Sequence, residues 1–185
     1  MGLEGAFEGV LRAARANAGW AFTRLYESLA PAVTAYVRTP GVGDADDVVN
    51  EVFLAAFSRL GSFVGHEAQF RSWVFTIAHH RIVDSRRAAA RRPQLEPLDR
   101  VRHGLAEVRS VEDDALCSVG LDHLRPVLER LTTDQREVLI LRVVADLSVE
   151  DVAQMMGKQP GTIRALQHRA VNALRRALVS EAVTR

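Results

Sequence analysis

The run Ser148-Val-Glu-Asp-Val-Ala-Gln-Met-Met-Gly157-Lys-Gln-Pro-Gly161-Thr162-Ile-Arg-Ala-Leu166 reads as two helices meeting at a tight turn. Ser148 followed three residues later by Asp151 is a capping box that opens the first helix. Val152, Ala153 and Met156 line its inner face, and Gly157 stops it. After the turn residues Lys158 to Gly161 a second helix begins at Thr162. A helix-turn-helix needs a small residue where its helices touch, a glycine in the turn and a branched residue packing back. Ala153, Gly157 and Ile163 meet those demands at offsets of four and six, so size, flexibility and period are each satisfied at a fixed place.

The second helix carries an apolar stripe, Ile163, Leu166, Ala170 and Leu174. At 100° per residue Arg164, His168, Asn172 and Arg175 fall opposite, flanked by Ala165, Arg169 and Arg176. Between Val152 and Ser180 there are five basic residues and no acid. Near the helix start, Thr162, Arg164, Ala165 and His168 are placed to reach base edges in a major groove, with Arg suited to guanine. Arg169, Arg175 and Arg176 are placed for phosphates. The competing reading is a structural helical hairpin with a solvated basic face.

Outward from this module the chain stays helical in pattern. Its 185 residues are 48% hydrophobic and 25% charged, a composition that fits one large or two small soluble domains. Twenty-six alanines and few alternating runs argue against a sheet. The longest strictly apolar run, Val52 to Phe57, is too short to cross a bilayer, and no basic flank leads into an apolar stretch at the start. A lone Cys117 makes no internal disulfide, which with the absent leader predicts a cytoplasmic protein. The net charge of +1 hides two cationic segments; the other runs from Arg81 to Arg92, with five Arg against Asp84. Two such segments separated by acids suggest a polyanion touched at two places.

Helices are expected over Gly5–Asn17, Trp20–Val37, Asp46–Leu60 and about Ala68–Ala90, ended by Pro93 and Pro97. From there to Ser118 two prolines and six acids mark a linker. The fold class is therefore all-α: two small helical domains, 1–92 and 121–185, joined by a flexible acidic linker, 93–120. In the Asp46 helix Val49, Val52, Phe53, Ala56, Phe57 and Leu60 form an inner face, while Asp47, Glu51, Leu54 and Ser58 lie outside. An exposed Leu between acids suits a protein partner. Capping accounts for Asp44 or Asp46 but not for Leu54; a divalent-metal reading lacks a second acidic cluster. In Gly61–Asp84 aromatics alternate with Arg and His, the composition that holds bases out of a stack, although Phe70, Val74, Ile77 and Ala78, and also Trp73, fit a core. His79 and His80 with Asp84 imitate a metal site, against which stands an ordinary helix surface. No nucleophile–base pair or phosphate-cradling glycine loop is present, so no catalytic, cofactor or metal site is expected.

Asp44-Ala-Asp-Asp-Val-Val-Asn-Glu-Val-Phe53, Phe70-Arg-Ser-Trp-Val-Phe-Thr-Ile-Ala78 and the segment from Leu131 to Leu178, in that order, resemble the extracytoplasmic-function group of bacterial RNA polymerase sigma factors. The resemblance covers about 20–92 and 121–179. It implies a transcription initiation factor that is not an enzyme. Asp47, Glu51 and Leu54 would dock on core RNA polymerase. Ser62, Phe63, Arg71, Trp73, His79, His80, Arg81, Asp84 and Arg87 would recognise and open the minus-ten promoter element. The helix from Thr162 would read the minus-thirty-five element. An anti-sigma factor is the further partner it implies, without membrane insertion of the chain itself. The rival from the residues alone is a polymerase-independent helix-turn-helix repressor or activator; a second is a helical interaction protein.

Overall fold

The computed structural model describes residues 3, 5–38, 42, 44–91 and 130–183, with side chains as far as 176. The linker 93–120, Cys117 and the start of the C-terminal module at Leu121 lie outside the described residues. Every regular element among the described residues is helical: α1 (Phe7–Arg15), α2 (Gly19–Val37), α3 (Ala45–Ser58), α4 (Glu67–Arg91), α5 (Thr133–Leu139), α6 (Val149–Met156) and α7 (Pro160–Val183). A 3-10 turn, Leu60–Ser62, follows α3, and a π turn, Ile140–Val144, continues α5. None of the helices described is long and apolar enough to cross a membrane.

Local chemistry sets the helix starts. The Asp44 carboxylate accepts from the amides of Asp46 and Asp47 at 3.1 and 3.2 Å, which satisfies two orphan donors at the head of α3. Thr132 and Gln135 form a reciprocal capping box at α5. At α6 the Ser148 hydroxyl accepts from the Asp151 amide at 2.9 Å and donates to the Asp151 carboxylate at 2.6 Å. The acid therefore engages the cap's hydroxyl rather than its backbone. Gly157 ends α6 at φ +62°, a left-handed conformation that side chains disfavour. α7 begins two residues earlier than expected, because Pro160 is pre-set for the first helical position and lacks only an amide that would go unpaired there.

α2, α3 and α4 pack around Leu25, Val33, Tyr36, Val52, Val74, Phe75 and Ile82, all buried. Ile163 on α7 closes on Val152 and Ala153 of α6, as the helix-turn-helix spacing requires. The two modules are also seated on each other. Val138, Leu141, Leu147 and Ile163 belong to the same continuous core as the N-terminal helices, with the π turn against α2 and α6 against α4. A separate small cluster, Leu131, Leu139 and Ala170, holds α5 to α7.

Polar groups are buried in this seam. Glu137 of α5, 3% exposed, pairs with Arg86 of α4 at 2.6 Å. A carboxylate loses its hydration on such burial, and only a close cation compensates. The Tyr36 hydroxyl lies 2.8 Å from His79 Nδ1. Burial pushes the tyrosine phenol upward, as does Glu137, while Arg86 acts in the opposite sense. The phenol is therefore neutral across the physiological range.

Candidate nucleic-acid interface

Two surfaces carry the cationic residues that the sequence singles out, and they differ in state. On α7, Thr162, Arg164, His168, Arg169, Arg175 and Arg176 are all exposed, while Ala165 is half-buried. Ile163, Leu166 and Ala170 turn inward, so burial of the stripe fixes which face looks out. Arg164 is 62% exposed and meets Glu150 at 3.1 Å, a solvated pair of small energetic weight that a phosphate or guanine can displace. His168 hydrogen-bonds Asn172. Arg169, Arg175 and Arg176 line one open hollow together with Arg130, Gln135 and Asn172. Arg130 was invisible as a site residue in the sequence, since nothing in its local pattern brings it to α7.

The second surface is the loop after α3 together with α4. Ser62, His80, Arg81, Asp84 and Arg87 are exposed, and Trp73 is half-buried. Several expected contact residues already have partners. Arg71, with its side chain 20% exposed, lies between Glu67 at 3.5 Å and Asp146 of the C-terminal module at 3.4 Å. Arg81 pairs with Glu51 at 3.4 Å, and Arg87 lies 3.9 Å from Asp84. His79 is turned to Tyr36; burial lowers its pKa, with Glu137 opposing and His80 and Arg86 reinforcing.

Phe63 differs from expectation. Its ring is buried, 5.3 Å from Phe70 and 5.2 Å from Trp73, so it is a pin for the loop and not part of its outer surface. An aromatic ring at this junction gains more from that apolar cluster than from water. Its neighbour Val64 takes the outward place, 90% exposed.

The acidic face is arranged as its period implies. Asp47, Glu51 and Leu54 all point outward from α3, and Leu54 is 73% exposed. Among the described residues no group of three or more His, Cys, Asp or Glu is placed to hold a metal ion. His80 and Asp84 are exposed on α4, whereas His79 is half-buried against Tyr36.

The chain matches the family models for sigma-70 region 2 over residues 25–92 and sigma-70 region 4 over residues 123–174. It is 36% identical over 172 residues to the ECF RNA polymerase sigma factor BldN of Streptomyces coelicolor, covering 91% of this chain and 65% of that relative's length. It is 32% identical over 167 residues to the ECF RNA polymerase sigma factor SigD of Mycobacterium tuberculosis, covering 86% of this chain and 78% of the relative. Among solved structures, the sigma factor RpoE in complex with the anti-sigma factor NepR from Bartonella quintana superposes with a TM-score of 0.60 at 26% identity, covering 85% of this chain and 96% of that one. With a region 2 match over the acidic face and loop, and a region 4 match over the helix-turn-helix, the chain belongs to the ECF group of RNA polymerase sigma factors.

Proposed function

We propose that this chain binds core RNA polymerase in the cytoplasm and directs it to a subset of promoters, acting by recognition rather than catalysis. The carrying observation is the coexistence of two separate surfaces: the exposed cationic α7 face, which has no acid of its own between Thr162 and Arg176, and the acidic α3 face centred on Leu54. A repressor that works without polymerase needs the first and has no use for the second. Asp47, Glu51 and Leu54 dock on polymerase. Thr162, Arg164, Ala165 and His168 read the minus-thirty-five element, with Arg169, Arg175 and Arg176 holding phosphates.

The minus-ten role falls to Ser62, Arg71, Trp73, His79, His80, Arg81, Asp84 and Arg87, with Phe63 supporting the loop from within. Arg71 is paired across the seam with the solvated Asp146 and His79 within its own module with Tyr36, so their use on a melted strand requires each to exchange that partner for DNA. The RpoE relative is held by an anti-sigma factor; a partner of that kind controls this chain by occupying its docking surfaces.

The test is transcription from a library of genomic promoter fragments by bacterial core polymerase, with and without the purified chain, followed by sequencing of the transcripts. Start sites that depend on the chain and share two spaced upstream elements establish the reading. Failure to form a complex with core, together with sequence-specific duplex binding by the chain alone, overturns it in favour of the polymerase-independent regulator.

A further inference from the structure

The loop between α3 and α4 is held from three sides. Phe63 is sunk into the aromatic cluster with Phe70 and Trp73. At the far end Gly65 has φ +153°, and a Cβ there would lie 2.6 Å from Gln69 Oε1 and 3.1 Å from the Phe63 ring. The same Gln69 oxygen accepts from the His66 amide at 3.0 Å. The third hold comes from α1, which lies outside the region 2 match. The Arg15 guanidinium donates to the Phe63 carbonyl, the residue that precedes Val64. α1 is itself fixed to the start of α4: Phe7 packs on Phe70 at 5.6 Å, and the Leu3 amide donates to Glu67 at 2.7 Å.

These holds converge on one residue that gains nothing from them within the chain. Val64 is fully displayed between two anchored neighbours. An apolar side chain on a fixed backbone is what separates stacked bases or packs on one already unstacked. A mobile loop would have to be ordered at each encounter, at a cost in backbone entropy. We infer that α1 is a clamp on this loop and that Arg15 is a positioning residue, fixing the Phe63 carbonyl so that Val64 meets a promoter base as the strand opens. This rests on the reading that the loop faces the melted minus-ten strand.

The experiment uses holoenzyme assembled from the full chain and core polymerase, offered a pool of single-stranded oligonucleotides with ten randomised positions. Captured strands are quantified and sequenced for the native chain and for Arg15→Ala, Arg15→Lys, Arg12→Ala and Val64→Ser. Arg12→Ala removes a charge from the same helix without touching the loop. In Arg15→Ala, capture falls about tenfold, and base preference blurs at the same position that Val64→Ser blurs. Arg15→Lys recovers part of both, Arg12→Ala resembles the native chain, and affinity for core polymerase is unchanged throughout. If Val64→Ser blurs a position and Arg15→Ala does not, the clamp is wrong and the loop reading stands. If Val64→Ser leaves every position unchanged, the loop reading itself fails and the clamp falls with it. If Arg15→Ala lowers core affinity and melting temperature in step with capture, α1 is a structural support and the positioning role is overturned.

Discussion

α4 and α7 carry nearly the same cationic chemistry and present it in opposite ways. On α4, Arg71, Arg81 and Arg86 each face a carboxylate from another element, those of Asp146, Glu51 and Glu137. On α7, Arg164 has a solvated pair with Glu150, while Arg169, Arg175 and Arg176 border an open hollow. The reason is nonlocal. Acids lie on the elements that pack against α4, and Glu137 among them is buried, whereas Glu150, which meets the basic face of α7, stays solvated. Residue type marks both helices as able to hold a polyanion. Tertiary packing decides which one is free to do so, and it leaves duplex contact by α7 open while α4 stays partly engaged.

The sharpest way to break this contrast is to cut one carboxylate from each region. Glu137→Ala removes the buried partner of Arg86 and is expected to cost about 3 kcal/mol in urea unfolding. Glu150→Ala removes the solvated partner of Arg164 and should change stability by less than about 0.5 kcal/mol. Equal effects would mean that the seam is no more buried than the α7 surface. The next largest effect is on binding. Arg164→Ala with His168→Ala should weaken duplex binding by the holoenzyme about tenfold or more and relax preference in the minus-thirty-five element, with core affinity unchanged. Arg175→Ala with Arg176→Ala should instead weaken all sequences alike and flatten the log–log salt dependence by about two. If the two pairs behave identically, the division between base readers and phosphate holders on α7 is lost.

Most of what could be read from the sequence was local. Asp44, Ser148 and Gly157 announce helix ends because a cap acts on amides or carbonyls within one turn, and Leu54 announces itself by falling out of a 3.6-residue period. The helix-turn-helix face follows for the same reason, since Ile163, Leu166 and Ala170 fix the rotation of α7. The loop did not yield so easily. No helical or strand period constrains Phe63 and Val64, so which of the two turns inward depends on Phe70, Trp73 and the α1 residues brought up against them. Glu137 was the hardest to read. In sequence it is one more acid on a short amphipathic helix, and its partner Arg86 lies 51 positions away. A carboxylate with no apolar signature gives no sign that it will be covered by another module.

The smallest effect tests the seam without altering a side chain. His79 is half-buried on α4, with Tyr36 at its Nδ1 and Glu137, Arg86 and His80 as the charged or titratable groups around it. Desolvation dominates and lowers its pKa below the ordinary value of about 6.5. The attraction of Glu137 is insufficient to reverse this. A neutral ring either accepts from the Tyr36 hydroxyl or donates to it, whereas a charged ring only donates, and the buried phenol then needs another acceptor. With its pKa lower in the folded state, the unfolded chain binds more protons in the acidic window. The contribution of His79 to stability is therefore complete above about pH 6.5 and is lost as pH falls from there through the folded-state pKa. Melting temperature should decline on acidification from about pH 7.5 toward 5.5, with part of the decline absent in His79→Gln. Nuclear magnetic resonance titration of the His79 ring gives the direct check. A midpoint above the ordinary histidine value would show that the Glu137 carboxylate, and not burial, governs the seam, and acidification would then tighten the packing between the modules.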